Sequence, residues 1–382
     1  MLKKDIKRNK LSCRLMTGYF IGFIALFSLG TFLTKDREFS EMENRVLDQK
    51  PQPTAEKIFS GEFGTAFEDY MADQIMYKDG LMSVKTTTDY LFGRSFQNGV
   101  YFSQYGYLLQ RYTENTANID KNIASINDFA NAQAAAGRTV DMMLVPNSIC
   151  VNADKLPKGA VTDDQRETTA HVKATLSPAV KLYDPTNDLM TMQRSGKQVY
   201  YRTDHHWTSP AAKMALEEWL GSMGVLLPAG SYELREVGGF YGTLYSKAPA
   251  GFIRPDNFGY YVNAVGQYTV EYIAEKKTSV SMTDESFLAK KDKYASFFGG
   301  NFAHMVIRSN AQGGKVLVLK DSYANAALPL LADVFSEIHV VDLRYYHTDT
   351  VSAILDANGI SRVMMLYNVD FLNEDQNFAW LA

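Results

Sequence analysis

Cysteine is scarce in this sequence, and basic residues are not in excess. Among 382 residues only Cys13 and Cys150 are cysteines, which excludes the disulfide framework that holds many small secreted domains together. Lysine and arginine number 39 against 43 aspartates and glutamates, so the net charge of -4 leaves no broad basic face for nucleic acid. Because 46% of the residues are hydrophobic, a packed core is expected to hold the chain together.

Long hydrophobic runs are rare as well, with one exception near the N-terminus. The stretch from Leu15 to Leu33 contains no charged residue, and such a run is about long enough to cross the ~30 Å hydrocarbon layer as a helix. Basic residues precede it at Lys3, Lys4, Lys7, Arg8, Lys10 and Arg14. Because basic flanks stay on the cytoplasmic side, we predict a cytoplasmic N-terminus at 1–14, a single-pass anchor in the cell membrane at 15–34 and an extracytoplasmic remainder.

A cleaved signal peptide is the alternative for the same segment. Its apolar part is usually about 7–15 residues long and ends in a small-x-small cleavage site. Phe27-Ser28-Leu29-Gly30 fits that site poorly, which favours an uncleaved anchor. With an anchor, Cys13 lies in the cytoplasm and Cys150 outside, so the two cannot pair.

After the anchor, composition divides the chain into a linker with helical character and a larger domain. Residues 35–95 begin polar and charged and turn helical from about Thr54. Residues 96–382 alternate helix-like and strand-like stretches, the pattern of an α/β layer. The expected strands are 140–145, 180–184, 315–319, 338–343 and 362–367, and the expected helices are 119–136, 163–176, 209–223, 323–335 and 350–357.

The alternation is interrupted between about residues 224 and 310. This segment is rich in glycine, tyrosine and phenylalanine and contains short β-type runs such as 267–273. We interpret it as a β-rich insertion or cap over the α/β layer.

The chemically most informative stretch is Asp204-His205-His206-Trp207, just ahead of a predicted helix. On extended backbone, residues two apart project the same way, so Asp204 can orient His206 while His205 points away. Ser322 follows an apolar strand, where open α/β sheets place their active sites. A serine hydroxyl becomes a nucleophile when a base, held by a third group, takes its proton. We therefore predict a Ser322–His206–Asp204 triad with the hydroxyl and ring nitrogen at ~2.6–3.2 Å.

The Asp-His-His-Trp stretch resembles the defining motif of the DHHW family, which is related to the alginate O-acetyltransferase proteins of the SGNH hydrolase superfamily. In those relatives a D-x-H pair precedes the serine, an order permuted from ordinary SGNH enzymes, and Asp204, His206 and Ser322 match it. Other fragments resemble the family in the same order along the chain: Glu43-Asn44-Arg45, Asp73-Gln74, Asn98 to Leu109, Val145-Pro146, Gly242-Thr243-Leu244, Asp321 to Asn325, and Asp342 to Tyr346.

The resemblance implies an SGNH-like parallel sheet with flanking helices and an extracytoplasmic enzyme that acetylates a polysaccharide. Because acetyl-CoA is absent outside the cell, the acyl group would come from a membrane-bound O-acyltransferase partner. Ser322 would carry it as an ester, with His206 as base and then acid, and with Asp204 orienting His206. Neither a cofactor nor a metal is expected.

The oxyanion hole is less clear from the resemblance. The glycine that often precedes the serine in SGNH enzymes is Asp321 here. Asn147 and Asn325 are candidates for the oxyanion asparagine, and a hole made only of the Ser322 and Tyr323 backbone amides is the alternative.

Other interpretations remain open. Arg344 either binds an acidic sugar or pairs with Asp342. An esterase would use the same triad with water as acceptor, and a polysaccharide-binding or assembly protein would keep the fold without the chemistry. A metal-dependent phosphoesterase would use the Asp-His-His stretch as ligands, but no D-x-D motif lies upstream of it.

Overall fold

The computed structural model describes residues 2–228, 232–263 and 266–381. The chain divides into two compact units, one made of the residues up to Phe92 with Pro249–Phe252, and the other of Gly93–Ala248 with the residues from Ile253 onward. The predicted insertion at 224–310 includes residues 229–231, 264 and 265, which lie outside the described residues.

The first unit is largely helical. Its elements are α1 (Leu2–Leu33), β1 (Phe39–Ser40), β2 (Arg45–Val46), α2 (Ala55–Ser60), α3 (Glu62–Gln74) and α4 (Lys78–Leu91). Within α1, Lys10–Leu33 is long and apolar enough to cross a membrane, as either an anchor or a signal sequence would be.

Ion pairs close the first unit around one buried carboxylate. Arg45 donates to both oxygens of Asp73 at 2.8 and 2.5 Å, and Lys78 contacts Asp73 and Glu43 at 2.8 and 2.5 Å. The bond from Arg45 comes first among the contacts that hold the pKa of Asp73 well below its ordinary value. The Glu43-Asn44-Arg45 and Asp73-Gln74 fragments therefore stabilise this unit.

The second unit is built on one large mixed sheet. Its strands are β3 (Phe96–Gln97), β4 (Val100–Phe102), β5 (Leu108–Gln110), β6 (Thr139–Val145), β7 (Val180–Tyr183), β8 (Tyr232–Phe240), β9 (Asp256–Asn263), β10 (Tyr268–Tyr272), β11 (Lys277–Ser279), β12 (His304–Ser309), β13 (Gly313–Lys320), β14 (Phe335–Val341) and β15 (Arg362–Asn368). Its helices are α5 (Thr116–Ala135), α6 (Ser148–Val151), α7 (Gln165–Thr175), α8 (Thr186–Arg194), α9 (Ser209–Gly221), α10 (Thr243–Lys247), α11 (Leu328–Leu331), α12 (Val351–Asn358) and α13 (Val369–Glu374).

The large sheet has the strand order β11-β10-β12-β14-β13-β15-β6-β7. Strands β14, β13, β15, β6 and β7 run parallel, and β11, β10 and β12 continue the sheet antiparallel. Residues 316–320 of β13 are buried in succession, which explains the continuous apolar run, because helices cover both faces of a parallel sheet.

Two expectations from the sequence differ from the structure. Residues 268–309 contribute β10, β11 and β12 to the large sheet instead of lying over it as an insertion, whereas β8 and β9 form a separate hairpin. The helix expected at 323–335 is a 3₁₀ turn, Ser322–Ala326, followed by the single-turn α11. Its second half is short because β14 already begins at Phe335, where pairing with β12 and β13 outweighs local helix propensity.

Four neighbouring parallel strands end at one edge of the sheet. Strand β13 is followed by Asp321 and Ser322, β14 by Asp342, and β6 by Pro146 and Asn147, while β15 ends at residue 368. Since the carboxyl ends of parallel strands form the crevice where open α/β sheets bind ligands, this edge is where a site is expected.

Candidate active site

The turn that carries Ser322 is fixed by the residue before it. Asp321 accepts one hydrogen bond from the Tyr323 amide and two from Asn368, through its backbone N–H and Nδ2, each at 2.7 Å. Burial raises the pKa of Asp321 to about 6. The carboxylate that replaces the expected glycine therefore attaches the serine turn to the end of β15.

The Asp-His-His-Trp loop lies against that turn. Trp207 is fully buried, and its indole N–H donates to the Tyr323 carbonyl at 2.9 Å. His206 Nε2 is 2.8 Å from Ser322 Oγ, and His206 Nδ1 is 2.5 Å from Asp204 Oδ2. The structure thus joins Asp204, His206 and Ser322 in one hydrogen-bonded chain, although His206 and Ser322 are 116 positions apart.

Asp204 is held from its other side by the start of α10. Its Oδ1 accepts hydrogen bonds from Thr243 N and Thr243 Oγ1, both at 2.8 Å. Gly242 is required at the preceding position, because a Cβ there would lie 2.1 Å from the Cβ of Asp204. Gly242-Thr243-Leu244 resembles a family fragment in the sequence, but its contact with Asp204 is visible only in the structure.

Electrostatics leave the imidazole in the form that a base needs. Burial of the ring, and then the neighbouring His205, lower the pKa of His206 to about 4. Burial alone would raise the pKa of Asp204, but the two histidines hold it well below its ordinary value. At neutral pH Asp204 is therefore an anion and His206 is neutral, with Nε2 free to accept a proton from Ser322.

The prediction that His205 points away from the site is wrong. Its ring centroid lies 3.8 Å from that of His206, and its Nδ1 is 2.5 Å from Thr243 Oγ1. The prediction assumed extended backbone, but residues 202–206 form a series of bends, so side-chain alternation does not apply there.

Tyr294 completes the surroundings of the imidazole and was missed in the sequence. Its ring stacks on His206 with centroids 3.6 Å apart and planes at 5°, and its hydroxyl donates to the Ser322 carbonyl at 3.0 Å. It lies in the segment interpreted as an insertion, and no local motif marks it. The Tyr294 ring therefore shields one face of the His206 ring from water, and the Tyr294 hydroxyl connects that ring to the turn that carries Ser322.

Removing the Tyr294 ring should change the pH profile of any reaction that uses His206 as base. In the unsubstituted protein we expect kcat/KM to fall only near pH 4, where His206 gains a proton. Tyr294→Leu admits water, so the His206 pKa should rise toward ~6.5 and the acid limb should move upward. Tyr294→Phe keeps the ring stacked on His206, so the acid limb should stay at the same pH. Its kcat/KM should fall by about two- to tenfold, because one hydrogen bond is lost. If the acid limb of the kcat/KM profile lies at the same pH in all three proteins, Tyr294 does not control the pKa of His206.

The sequence around this site also matches a known protein family. Residues 93–341 match the family described as DHHW protein. The chain belongs to the DHHW family.

This DHHW protein has the same fold as two proteins of known structure. A DHHW family protein from Eubacterium siraeum is 24% identical, with a TM-score of 0.65 over 75% of this chain and 95% of that one. Bacillus cereus PatB1, solved with a sulfonyl adduct, is 21% identical, with a TM-score of 0.64 over 74% of this chain and 98% of that one. The O-acetyltransferase domain of Pseudomonas putida AlgJ is 15% identical, with a TM-score of 0.48 over 73% and 93%, which is too low to support a conclusion. No curated protein is similar enough in sequence to count as a match.

In this DHHW protein Ser322 opens into a cavity of about 470 Å³. Asn147 and Arg344 line the same cavity, with His205, Thr243 and the charged groups Lys247, Asp370 and Glu374. Arg344 is paired with Asp342 through Nε and Nη2 at 2.9 and 2.6 Å. The structure therefore brings Asn147 and Arg344 to the site, and Arg344 already has a carboxylate partner.

Two of the other predicted oxyanion donors are engaged elsewhere. The Tyr323 amide donates to Asp321, and Asn325 is 2% exposed and donates to Asn301 at 3.1 Å, away from the cavity. Asn147 Nδ2 donates to the Tyr323 hydroxyl and to Asn368 Oδ1, both at 3.0 Å. The Ser322 amide is the first of its 3₁₀ turn, and the first N–H groups of a helical turn have no partner within it.

The Asp-His-His group also has the residue types of a metal site. Asp204, His205 and His206 bring ligand atoms within 4.8 Å of one another. Both oxygens of Asp204 are already hydrogen-bonded, to His206 and to Thr243, and His206 Nε2 contacts Ser322. A metal ion would have to break these contacts, so the arrangement fits a triad better than the phosphoesterase alternative.

Proposed function

We propose that this DHHW protein is an extracytoplasmic O-acetyltransferase that passes an acetyl group through an ester on Ser322 to a hydroxyl of a polysaccharide. The observation that carries the proposal is the chain of contacts from Asp204 to His206 to Ser322, at 2.5 and 2.8 Å, at the edge of a ligand-sized cavity. An SGNH-like fold with permuted motif order is part of the same proposal. Its support is the position of Ser322 after a parallel strand.

The first half-reaction forms the ester. Ser322 Oγ attacks the acetyl carbonyl while His206 Nε2 takes the hydroxyl proton, and the resulting imidazolium is stabilised by Asp204. When the tetrahedral intermediate collapses, the bond to the donor's oxygen breaks and His206 returns the proton to that oxygen. In the second half-reaction a sugar hydroxyl repeats these steps against the acetyl-serine, and Ser322 leaves as the free alcohol.

The oxyanion needs hydrogen-bond donors that already point into the cavity. Ser322 and Arg344 both line the cavity. The first N–H groups of a helical turn have no partner within it, and Arg344 binds Asp342 through Nε and Nη2, so we take the Ser322 amide and the Arg344 guanidinium as the donors. Asn147 Nδ2 would serve only after releasing the Tyr323 hydroxyl or Asn368. We therefore assign the oxyanion to Ser322 and Arg344, with donors of this kind worth ~3–4 kcal/mol each in catalysis.

The N-terminal helix is proposed to remain attached as a membrane anchor. Thr31, in its last turn, is 7% exposed and its Oγ1 accepts a hydrogen bond from Met76 N at 3.1 Å. Gly30 also packs closely, since a Cβ there would lie 2.4 Å from the Met76 sulfur. Because the end of the helix is part of the first unit's packing, an anchored protein close to a membrane-bound acyl donor is the arrangement we propose.

Trapping the acyl-enzyme tests the function directly. The detergent-solubilised full chain, mixed with p-nitrophenyl acetate, should release a burst of p-nitrophenol and gain the mass of one acetyl group on the peptide that contains Ser322. An aryl sulfonyl fluoride, chosen because PatB1 was solved with a sulfonyl adduct, should label the same residue and abolish the burst.

The acceptor then separates a transferase from an esterase. Added oligosaccharide should divert the acetyl group from acetate to acetylated sugar. If acetate release is unchanged by every saccharide offered, the esterase alternative is correct. Labelling of a residue other than Ser322 would contradict both.

A further inference from the structure

We propose that a second cavity beside the catalytic one binds the sugar residues that flank the acetylation point, and that the acceptor is an uncharged oligosaccharide chain. This inference rests on the proposed function, because that function supplies the polymeric acceptor. The second cavity has a volume of about 480 Å³, within the ~300–1,000 Å³ typical of small-molecule sites.

The second cavity is an apolar floor with a polar rim. Ile149 and Val151 of α6 are buried and Met190 of α8 is half-buried, so they form the floor. The rim consists of the half-buried Gln193 and of exposed charged side chains: Asp154, Asp163, Arg166 and Arg194. A pyranose presents apolar C–H faces and a ring of hydroxyl groups. The floor can pack against such a face while rim groups bond the hydroxyls, the division of labour usual in ligand pockets.

Gln165 belongs to a wall that this cavity shares with the catalytic one. Gln165 lines the second cavity and is 1% exposed. Its Nε2 donates to Asn147 Oδ1 at 2.9 Å and to Asp370 Oδ1 at 3.1 Å, and both of those residues line the catalytic cavity. The two cavities are therefore neighbours that share the buried Gln165–Asn147 contact as a wall, so a sugar chain bound at Ser322 has its next residues close to the second cavity.

The charges of the two cavities decide against an acidic polymer. The second cavity carries Asp154, Asp163 and Asp164 against Lys155, Arg166 and Arg194, so its ionic groups balance, and Arg166 is already paired with Asp164. In the catalytic cavity Arg344 is held by Asp342, and the lining carries Lys247 beside the carboxyl groups of Asp321, Asp370, Glu374 and Asp375. No net positive field remains to attract uronic acids, so Arg344 is not assigned to an acidic sugar.

Filling the second cavity should shorten the acceptor that the protein can use. Ala153 is exposed at the rim, so Ala153→Trp places an indole over the cavity without disturbing the core. Ala170→Trp is the matched control, since Ala170 is exposed on α7 and does not line the cavity. Acetyl transfer from p-nitrophenyl acetate to neutral chito- and malto-oligosaccharides of increasing length would be measured for each protein.

We expect Ala153→Trp to lower kcat/KM for the long acceptors by about tenfold, or ~1.4 kcal/mol, with little change for monosaccharides and for ester hydrolysis. Ala170→Trp should match the unsubstituted protein throughout. An equal loss for short and long acceptors, or no loss for either, would overturn the proposal.

Calorimetric binding keeps the test independent of catalysis. With the Ser322→Ala protein, affinity for neutral oligosaccharides should rise with length, and adding Ala153→Trp should remove the rise. Stronger binding of a uronic acid oligomer, or no oligosaccharide binding at all, would overturn the inference. Length-dependent binding without any transfer by the unsubstituted protein would reject the proposed function and leave the second site standing.

Discussion

Replacement of Ser322 by alanine is expected to lower acetyl transfer by roughly 10⁴- to 10⁶-fold. In the proposed mechanism the hydroxyl at 2.8 Å from His206 Nε2 is the atom that forms the ester. The turn itself should persist, because Asp321 and the Trp207 indole bind backbone atoms of residue 323. The measurement is kcat with an activated acetyl ester and oligosaccharide, together with the intact mass.

Two comparisons make this result interpretable. Ser336→Ala, at an exposed hydroxyl on β14, should have ordinary activity, and the thermal midpoint of Ser322→Ala should stay near that of the unsubstituted protein. If Ser322→Ala retains the protein's effect on its polysaccharide, the protein binds or assembles polymer and does not acetylate it.

Replacement of Asp204 by asparagine is expected to cost about 10⁴-fold in kcat. The carboxylate accepts on both sides, from His206 Nδ1 and from Thr243 N and Oγ1. An amide that turns its NH₂ to His206 forces the proton onto Nε2, where it blocks acceptance from Ser322. An amide that turns its NH₂ to Thr243 faces the Thr243 N–H donor. The first orientation leaves His206 in the wrong tautomer, and the second sets two N–H donors against each other. Catalysis is therefore expected to suffer in both orientations of the amide.

The test for Asp204 compares kcat at neutral pH with that of two other variants. Asp128→Asn, at an exposed position on α5, should be unaffected. Thr243→Val removes one of the two donors to Asp204 Oδ1 and should cost much less, about two- to tenfold. A loss in Asp204→Asn no larger than that of Thr243→Val would contradict the proposed orienting role.

Much of the parallel part of the fold was predictable. The strands expected at 140–145, 315–319 and 362–367 lie within β6, β13 and β15, because strands buried on both faces leave uninterrupted apolar runs. The segment interpreted as an insertion was harder to predict. Strands β10 and β12 pair antiparallel at the end of the sheet, and their short lengths leave no long periodic pattern.

The candidate site also contains features that the sequence could predict and features that it could not. The contact between Asp204 and His206 could be predicted because both residues belong to one short motif. Tyr294 could not, because a tyrosine in an irregular segment is ordinary until its ring is found 3.6 Å from His206. The hydrogen bonds from Tyr323 N to Asp321 and from Asn325 to Asn301 could not be predicted either. Hydrogen-bond partners depend on which segments meet in the fold.

By itself, the amino-acid sequence determined the repeating pattern of buried strands and the apolar N-terminal helix, because these depend on residue type and on spacing within one segment. It also supplied Asp204, His206 and Ser322 as the proposed acid, base and hydroxyl, through the order of their motifs along the chain. Tertiary structure alone decided that Tyr323 N and Asn325 are engaged elsewhere, what stacks on His206 and that Gln165 contacts residues of two cavities. These features depend on contacts between segments far apart in the chain, which form only when the parallel strands bring their carboxyl ends to one edge.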